Sequence, residues 1–294
     1  YAALQNWNGL CRFAWSHGKA KIVNPKHPVE GFDAVNDPFA RLSDRIAVLM
    51  FRRGDIRPGN RKFVRPVSRA IFDSEESFDF PMDFQRLGLI SQIGSAPDDA
   101  LPDAGVIRLT GKMKLPAGLP DGVVRQAWER LQQEKVAVSD TGELRLSPKA
   151  KTFAVTSPRS ESVTLPGGAL RAGVFGVRGA TTFQTAAALS LDGRPLAESA
   201  NLLVIHLTDV SNTDARFGDQ EQKELKHRGR LPLLVRRGRA EAELETRHTY
   251  RIDALGPDGQ KLGEITGRSE NGTFRFLLDP GHCPGGVMAY HLTR

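Results

Sequence analysis

The chain has 294 residues, 39% of them hydrophobic and 26% charged, which suits one large globular domain or two ordinary ones with real cores. No run of about twenty apolar residues occurs, which excludes a membrane-spanning helix. The formal charge of +7 sits at the start: residues 1–72 hold 13 Lys and Arg against 5 Asp and Glu, and the rest is near neutral. These cations are spread over helix faces and connections without a nucleic-acid motif. They read as solvated surface, and nucleic acid is not an expected partner.

In chain order, residues 1–5 read as the last turn of a helix already under way, so the chain is expected to be the C-terminal part of a longer protein. A polar turn with Asn6, Asn8 and Gly9 follows. Leu10, Cys11, Phe13 and Ala14 then predict a short strand buried on both faces, as in a parallel sheet, with Arg12 interrupting it. Trp15, Ser16 and His17 stand together at its C-terminal end. Residues 18–36 read as a long loop in which His27 and Glu30 are taken as solvent-exposed.

A helix is predicted next. Asp37 can cap it, Pro38 suits its first position and Gly54 suits its stop. Phe39, Leu42, Ile46, Leu49 and Met50 recur at spacings of three and four and give it one apolar face. Asp55 follows the helix and is read as structural.

Residues 57–150 predict a mixed α/β connecting region. One helix is expected over residues 121–135, with Val124, Ala127, Trp128 and Leu131 on one face. Asp140-Thr141-Gly142-Glu143 reads as a turn entering a strand. Glu75 and Glu76 are not an acid–base pair, because neighbouring side chains diverge in any regular structure.

From about residue 151 short β-rich runs alternate with turn residues, the pattern of a β-sandwich. Strands are predicted at 152–156, 161–165, 181–190, 201–208, 231–235, 240–245, 249–255, 261–266, 272–277 and 287–292. Turns are marked at Pro166-Gly167-Gly168, Leu191-Asp192-Gly193, Gly256-Pro257-Asp258-Gly259 and Asn271-Gly272. Ala240-Glu241-Ala242-Glu243-Leu244-Glu245 alternates strictly, one dry face and one wet face.

Motifs for other chemistries are weak. The Gly-rich run at residues 173–179 falls among β-runs with no helix after it, so it is no phosphate cradle. His282, Cys283 and His291 lack the spacing of a closed zinc site, and no metal or other cofactor is expected. No nucleophile-elbow phrase is present. His206 and Asp209 are read as serving the packing and turns of the sandwich. The two cysteines, Cys11 and Cys283, are far apart in sequence and fall in what read as different domains, and a disulfide between them is not expected.

Two sets of phrases resemble a known family. Ala2, Ala3, Gln5, Trp7, Gly9, Phe13, Ala14, Trp15 and Ser16 follow, in order, the last barrel strand of clan-A glycoside hydrolases of the β-galactosidase-like and agarase-like kind. Asn6 and Asn8 stand where those proteins usually carry Asp. The phrase Phe51-Arg52-Arg53-Gly54-Asp55 is similar to the end of the helix that follows that strand. Phe153-x-Val155-x-Ser157-Pro158-Arg159, the segments at 190–199 and 202–213, and Arg230-Leu231-Pro232-Leu233-Leu234-Val235 resemble the C-terminal β-sandwich of the same enzymes.

The resemblance implies an α/β part followed by an all-β part: residues 1–56 as the C-terminal remnant of a (β/α)8 barrel, 57–150 as the connection, and 151–294 as the β-sandwich. It also implies a retaining glycoside hydrolase acting on β-linked galactosides or related polysaccharides through two glutamates. Those would lie at the ends of earlier barrel strands, so no catalytic residue is expected here and the chain alone should be inactive. Trp15 is the first choice for stacking on a sugar, Ser16 and His17 for hydrogen bonds to its hydroxyls, and Trp7 is a weaker choice. Export suits such an enzyme, and no residue here reports on it. A non-catalytic carbohydrate-binding or interaction module is the rival reading.

Overall fold

A computed structural model describes residues 1–11, 15–16, 29, 33–74, 80–100, 105–109, 115, 117–219 and 222–294. The chain divides into two compact units. Unit 1 holds Tyr1–Leu10 and Arg53–Ser157, and unit 2 holds Cys11–Arg52 and Pro158–Arg294. Strands predominate, and the described helices are α1 Pro38–Arg52, α2 Arg69–Phe72, α3 Met82–Leu87 and α4 Val123–Glu134.

Unit 1 opens with the predicted helical turn. The Gln5 N–H bonds the Tyr1 carbonyl at 3.0 Å. Asn6, at φ 56°, then ends the turn. The N–H groups of Trp7 and Asn6 reach the carbonyls of Ala2 and Ala3, both at 3.0 Å. These are the two bonds of a Schellman cap, whose left-handed position suits Asn. The buried Gln5 amide fastens the turn: Nε2 donates to the carbonyls of Gly88 and Ser91, and Oε1 accepts from Ile93 N–H.

The centre of unit 1 is a parallel sheet in the order β2-β1-β3, with β1 Lys62–Val67, β2 Gln92–Pro97 and β3 Ile107–Arg108. An antiparallel meander follows, β4 Ala137–Val138, β5 Leu144–Ser147 and β6 Thr152–Thr156. The predicted face of α4 is the buried one: Val124, Ala127, Trp128 and Leu131 join Phe63, Phe84, Leu87 and Ile90 in one core. The predicted turn before β5 closes through Gly142, at φ 74°, whose N–H bonds the Ser139 carbonyl. Asp140 is a buried tie, its carboxylate accepting from the Asn60 and Arg61 N–H groups and from Ser91 Oγ.

Unit 2 is built on two antiparallel sheets. The strands are β7 Ser160–Leu165, β8 Gly168–Arg171, β9 Phe175–Ala180, β10 Gln184–Ser190, β11 Asn201–Leu207, β12 Val210–Thr213, β13 Arg216–Phe217, β14 Leu225–His227, β15 Arg230–Val235, β16 Ala240–Glu245, β17 Arg251–Leu255, β18 Lys261–Ile265, β19 Gly267–Glu270, β20 Thr273–Leu278 and β21 Ala289–Thr293. One sheet runs β18-β17-β21-β11-β10-β7 and the other β19-β20-β16-β9-β8. Inward residues of both, among them Val163, Val177, Ala186, Val204, Leu244, Ile252, Phe276 and Tyr290, form a single core. That is a sandwich.

Strand β16 shows how the sequence dictates the layering. Ala240, Ala242 and Leu244 are buried, while Glu241, Glu243 and Glu245 face outward to arginines of other strands of the same sheet. Asn271-Gly272 is the two-residue hairpin between β19 and β20, with both residues at positive φ, the demand of a type I′ turn. Between β11 and β16, the pairs β12–β15 and β13–β14 form a two-stranded arm.

Helix α1 has the predicted limits. Asp37 Oδ1 accepts from Phe39 and Ala40 N–H, Ile46 and Met50 are buried, and the helix lies against β11. Gly54, at φ 61°, follows it.

The strand expected over residues 10–14 is not found where it can be checked. Leu10 and Cys11 are exposed and outside any strand, and residues 12–14 lie outside the described residues. A strand buried on both faces needs partners on both edges. The parallel pairing found among the described residues is that of β1 with β2 and β3, and no (β/α)8 barrel is seen among them. His27 and Glu30 also lie outside the described residues.

Candidate functional site

The predicted sugar-contacting residues are distributed over both units. Trp7, in unit 1, is half exposed, and its ring meets Tyr1 edge-on at 5.9 Å between centroids. Its backbone closes the Schellman cap, so it is placed by the local turn. Trp15 and the half-buried Ser16 belong to unit 2, and His17 lies outside the described residues.

Trp15 is built into a small platform. Its carbonyl accepts the Val35 N–H at 3.0 Å, which ties it to the segment entering α1. Two residues on, Asp37 caps the helix, and the first turn then carries Arg41 to the indole, its Cζ 5.9 Å from the ring centroid. Val29 is held by the arm. The Asn212 amide exchanges two 3.0 Å hydrogen bonds with the backbone of Val29 and donates a third to the Arg228 carbonyl. The indole has half its surface exposed. Such a ring offers a flat apolar face and one N–H, the requirements for stacking on the C–H face of a pyranose.

Other polar clusters in unit 2 are closed on themselves. The Gly-rich run does bind an anion, but the anion is internal: Glu161 accepts from the N–H groups of Gly173, Val174 and Phe175 at 2.8, 3.1 and 2.8 Å. Burial pushes the Glu161 carboxyl up, against the pull of those three donors. Asp279 is held at about 2, first by Arg237, which binds it through two nitrogens, and further by Gly281 N–H and Arg239. His206 is buried and held down to about 4 by desolvation. Asp192 organises a turn, accepting from Ser190, Ser199 and the N–H groups of Arg194 and Ala200.

In unit 1, Asp55 is buried against Arg53, in line with its structural reading. An apolar cavity of about 280 Å³ lies between Leu4, Leu89, Leu144, Leu146 and Phe153, with no charged group at its lining to orient a ligand. No group of three or more His, Cys, Asp or Glu able to hold a metal occurs among the described residues. Cys11 and Cys283 are free thiols.

Sequence reasoning missed Arg41, Asn212 and Glu161. Arg41 carries no signal in the sequence beyond its place one turn after Asp37, and Asn212 and Glu161 act through contacts distant in the chain. Comparisons with protein-family models, curated proteins and solved structures find no match to this chain.

Proposed function

We propose that the chain is the C-terminal part of a retaining glycoside hydrolase acting on β-linked galactosides or related plant or algal polysaccharides. On this reading residues 1–294 supply one wall of the sugar site and not the catalytic glutamate pair. The observation that carries it is the half-exposed indole of Trp15, tied by Val35 at the foot of α1. The phrases resembling clan-A enzymes support it. Trp15 stacks on a sugar, and Ser16 and His17 offer hydrogen bonds to its hydroxyls. No cofactor is required, since two carboxyl groups suffice for the chemistry.

The test is Trp15→Ala in the parent enzyme. The reading expects lost kcat/KM with the thermal transition retained; unchanged turnover contradicts it. Residues 1–294 alone are expected to leave aryl β-glycosides intact, and turnover by them would contradict the reading as well.

A second reading is a non-catalytic carbohydrate-binding module. It is favoured by the two-sheet architecture of unit 2 and by the absence of a barrel among the described residues. Against it, Tyr250 and Tyr290 of the sandwich are both buried, which leaves its sheets without a described Tyr or Trp platform. On this view Trp15→Ala changes no turnover.

A further inference from the structure

We propose that Arg41 makes the Trp15 platform selective for saccharides bearing an oxyanion, a sulfate ester or a carboxylate; this rests on the saccharide-binding reading of Trp15. The guanidinium centre stands 5.9 Å from the indole centroid, within cation–π range, on the first turn of a fifteen-residue helix. Among the described residues no carboxylate pairs with Arg41. The nearest capping acid, Asp37, spends Oδ1 on the N–H groups of Phe39 and Ala40. Several arginines elsewhere in the fold are matched to acids, among them Arg53 to Asp55, Arg171 to Glu243, Arg178 to Glu241, Arg237 to Asp279 and Arg275 to Glu243; what sets Arg41 apart is its place at the Trp15 ring.

A guanidinium lying over one face of an exposed ring, with no carboxylate paired to it among the described residues, keeps its planar fork of N–H donors available. That fork suits the paired oxygens of a sulfate or carboxylate. A pyranose lying on the indole would place an anionic substituent beside it. The ring supplies apolar contact that any sugar can use, and the fork supplies discrimination.

The experiment is binding of the chain to β-1,4-galactan oligosaccharides that are neutral, sulfated, or oxidised to the carboxylate at C6. Wild type, Arg41→Gln, Trp15→Ala and Arg45→Gln are compared, with thermal transitions checking the fold. Expected is about ten-fold tighter binding of one or both charged forms by wild type, the two arms identifying which anion is read. Arg41→Gln is expected to abolish that preference while keeping neutral affinity, Arg45→Gln to preserve it, and Trp15→Ala to weaken all forms. Equal wild-type affinity for charged and neutral forms overturns the selectivity while leaving the saccharide reading standing. A preference that survives Arg41→Gln overturns the assignment to Arg41. Binding of no form overturns the saccharide reading itself, and the selectivity with it.

Discussion

His206 Nε2 lies 2.5 Å from Gln184 Oε1 inside the sandwich, where neither side chain reaches solvent. An amide oxygen only accepts, so Nε2 carries the hydrogen and Nδ1 is bare, with no partner among the described residues. Desolvation holds the imidazole at about 4, with Asp279 pulling the other way. The sign follows from linkage. Between about pH 6.5 and 4 the unfolded chain takes up a proton that the folded chain refuses, so acid favours unfolding. Stability from this group is full above 6.5 and falls with pH by on the order of 3 kcal/mol across the window. Denaturant unfolding of wild type and His206→Gln at pH 7 and 4.5 measures it. The gap between the two proteins should move in favour of the variant at the lower pH, and a constant gap counts against the buried neutral histidine.

Glu161 closes the Gly173–Phe175 nest from inside, and this is a stability device. Glu161→Ala leaves three N–H groups without their acceptor, at a cost on the order of 3 kcal/mol. Glu161→Gln keeps one acceptor oxygen and should cost less. Chemical denaturation ranks them, and an alanine variant as stable as wild type would remove the nest from the account.

Asn6 and Gln5 hold the first turn by different means. Asn6→Gly should be tolerated at φ 56°, whereas Asn6→Ala should cost about 1 kcal/mol from the left-handed position. Gln5→Ala strips partners from two carbonyls and one N–H and should cost more, on the order of 2–4 kcal/mol. Equal effects at both positions would contradict this division of labour.

Much of the fold was legible where local chemistry and tertiary packing agree. Asp37 and Pro38 start α1, Trp128 marks the buried face of α4, Asn271-Gly272 makes its hairpin, and β16 alternates as its sheet requires. The parallel sheet of unit 1 was not legible. Strand β1 carries Lys62, Arg65 and Pro66, and β2 reads Gln-Ile-Gly-Ser-Ala-Pro, so neither shows the apolar run of a buried strand. The arm strands β12 to β14 are short and polar and are ordered by pairing within the arm, β12 with β15 and β13 with β14. At Leu10 and Cys11 the apolar character of the sequence pointed to a buried strand, whereas both residues are exposed and outside any strand. In the candidate site, Trp15 was readable as an aromatic beside polar groups. Arg41 was not, because its meaning comes from the turn of α1 that brings it to the ring.

The most direct test of the central claim is affinity electrophoresis of the 294-residue chain through gels containing soluble β-galactan, wild type beside Trp15→Ala. The account predicts retardation of wild type and an apparent affinity at least about ten-fold weaker for the variant, some 1.4 kcal/mol, with an unchanged thermal transition. Equal retardation of both proteins, or free migration of wild type, would contradict it.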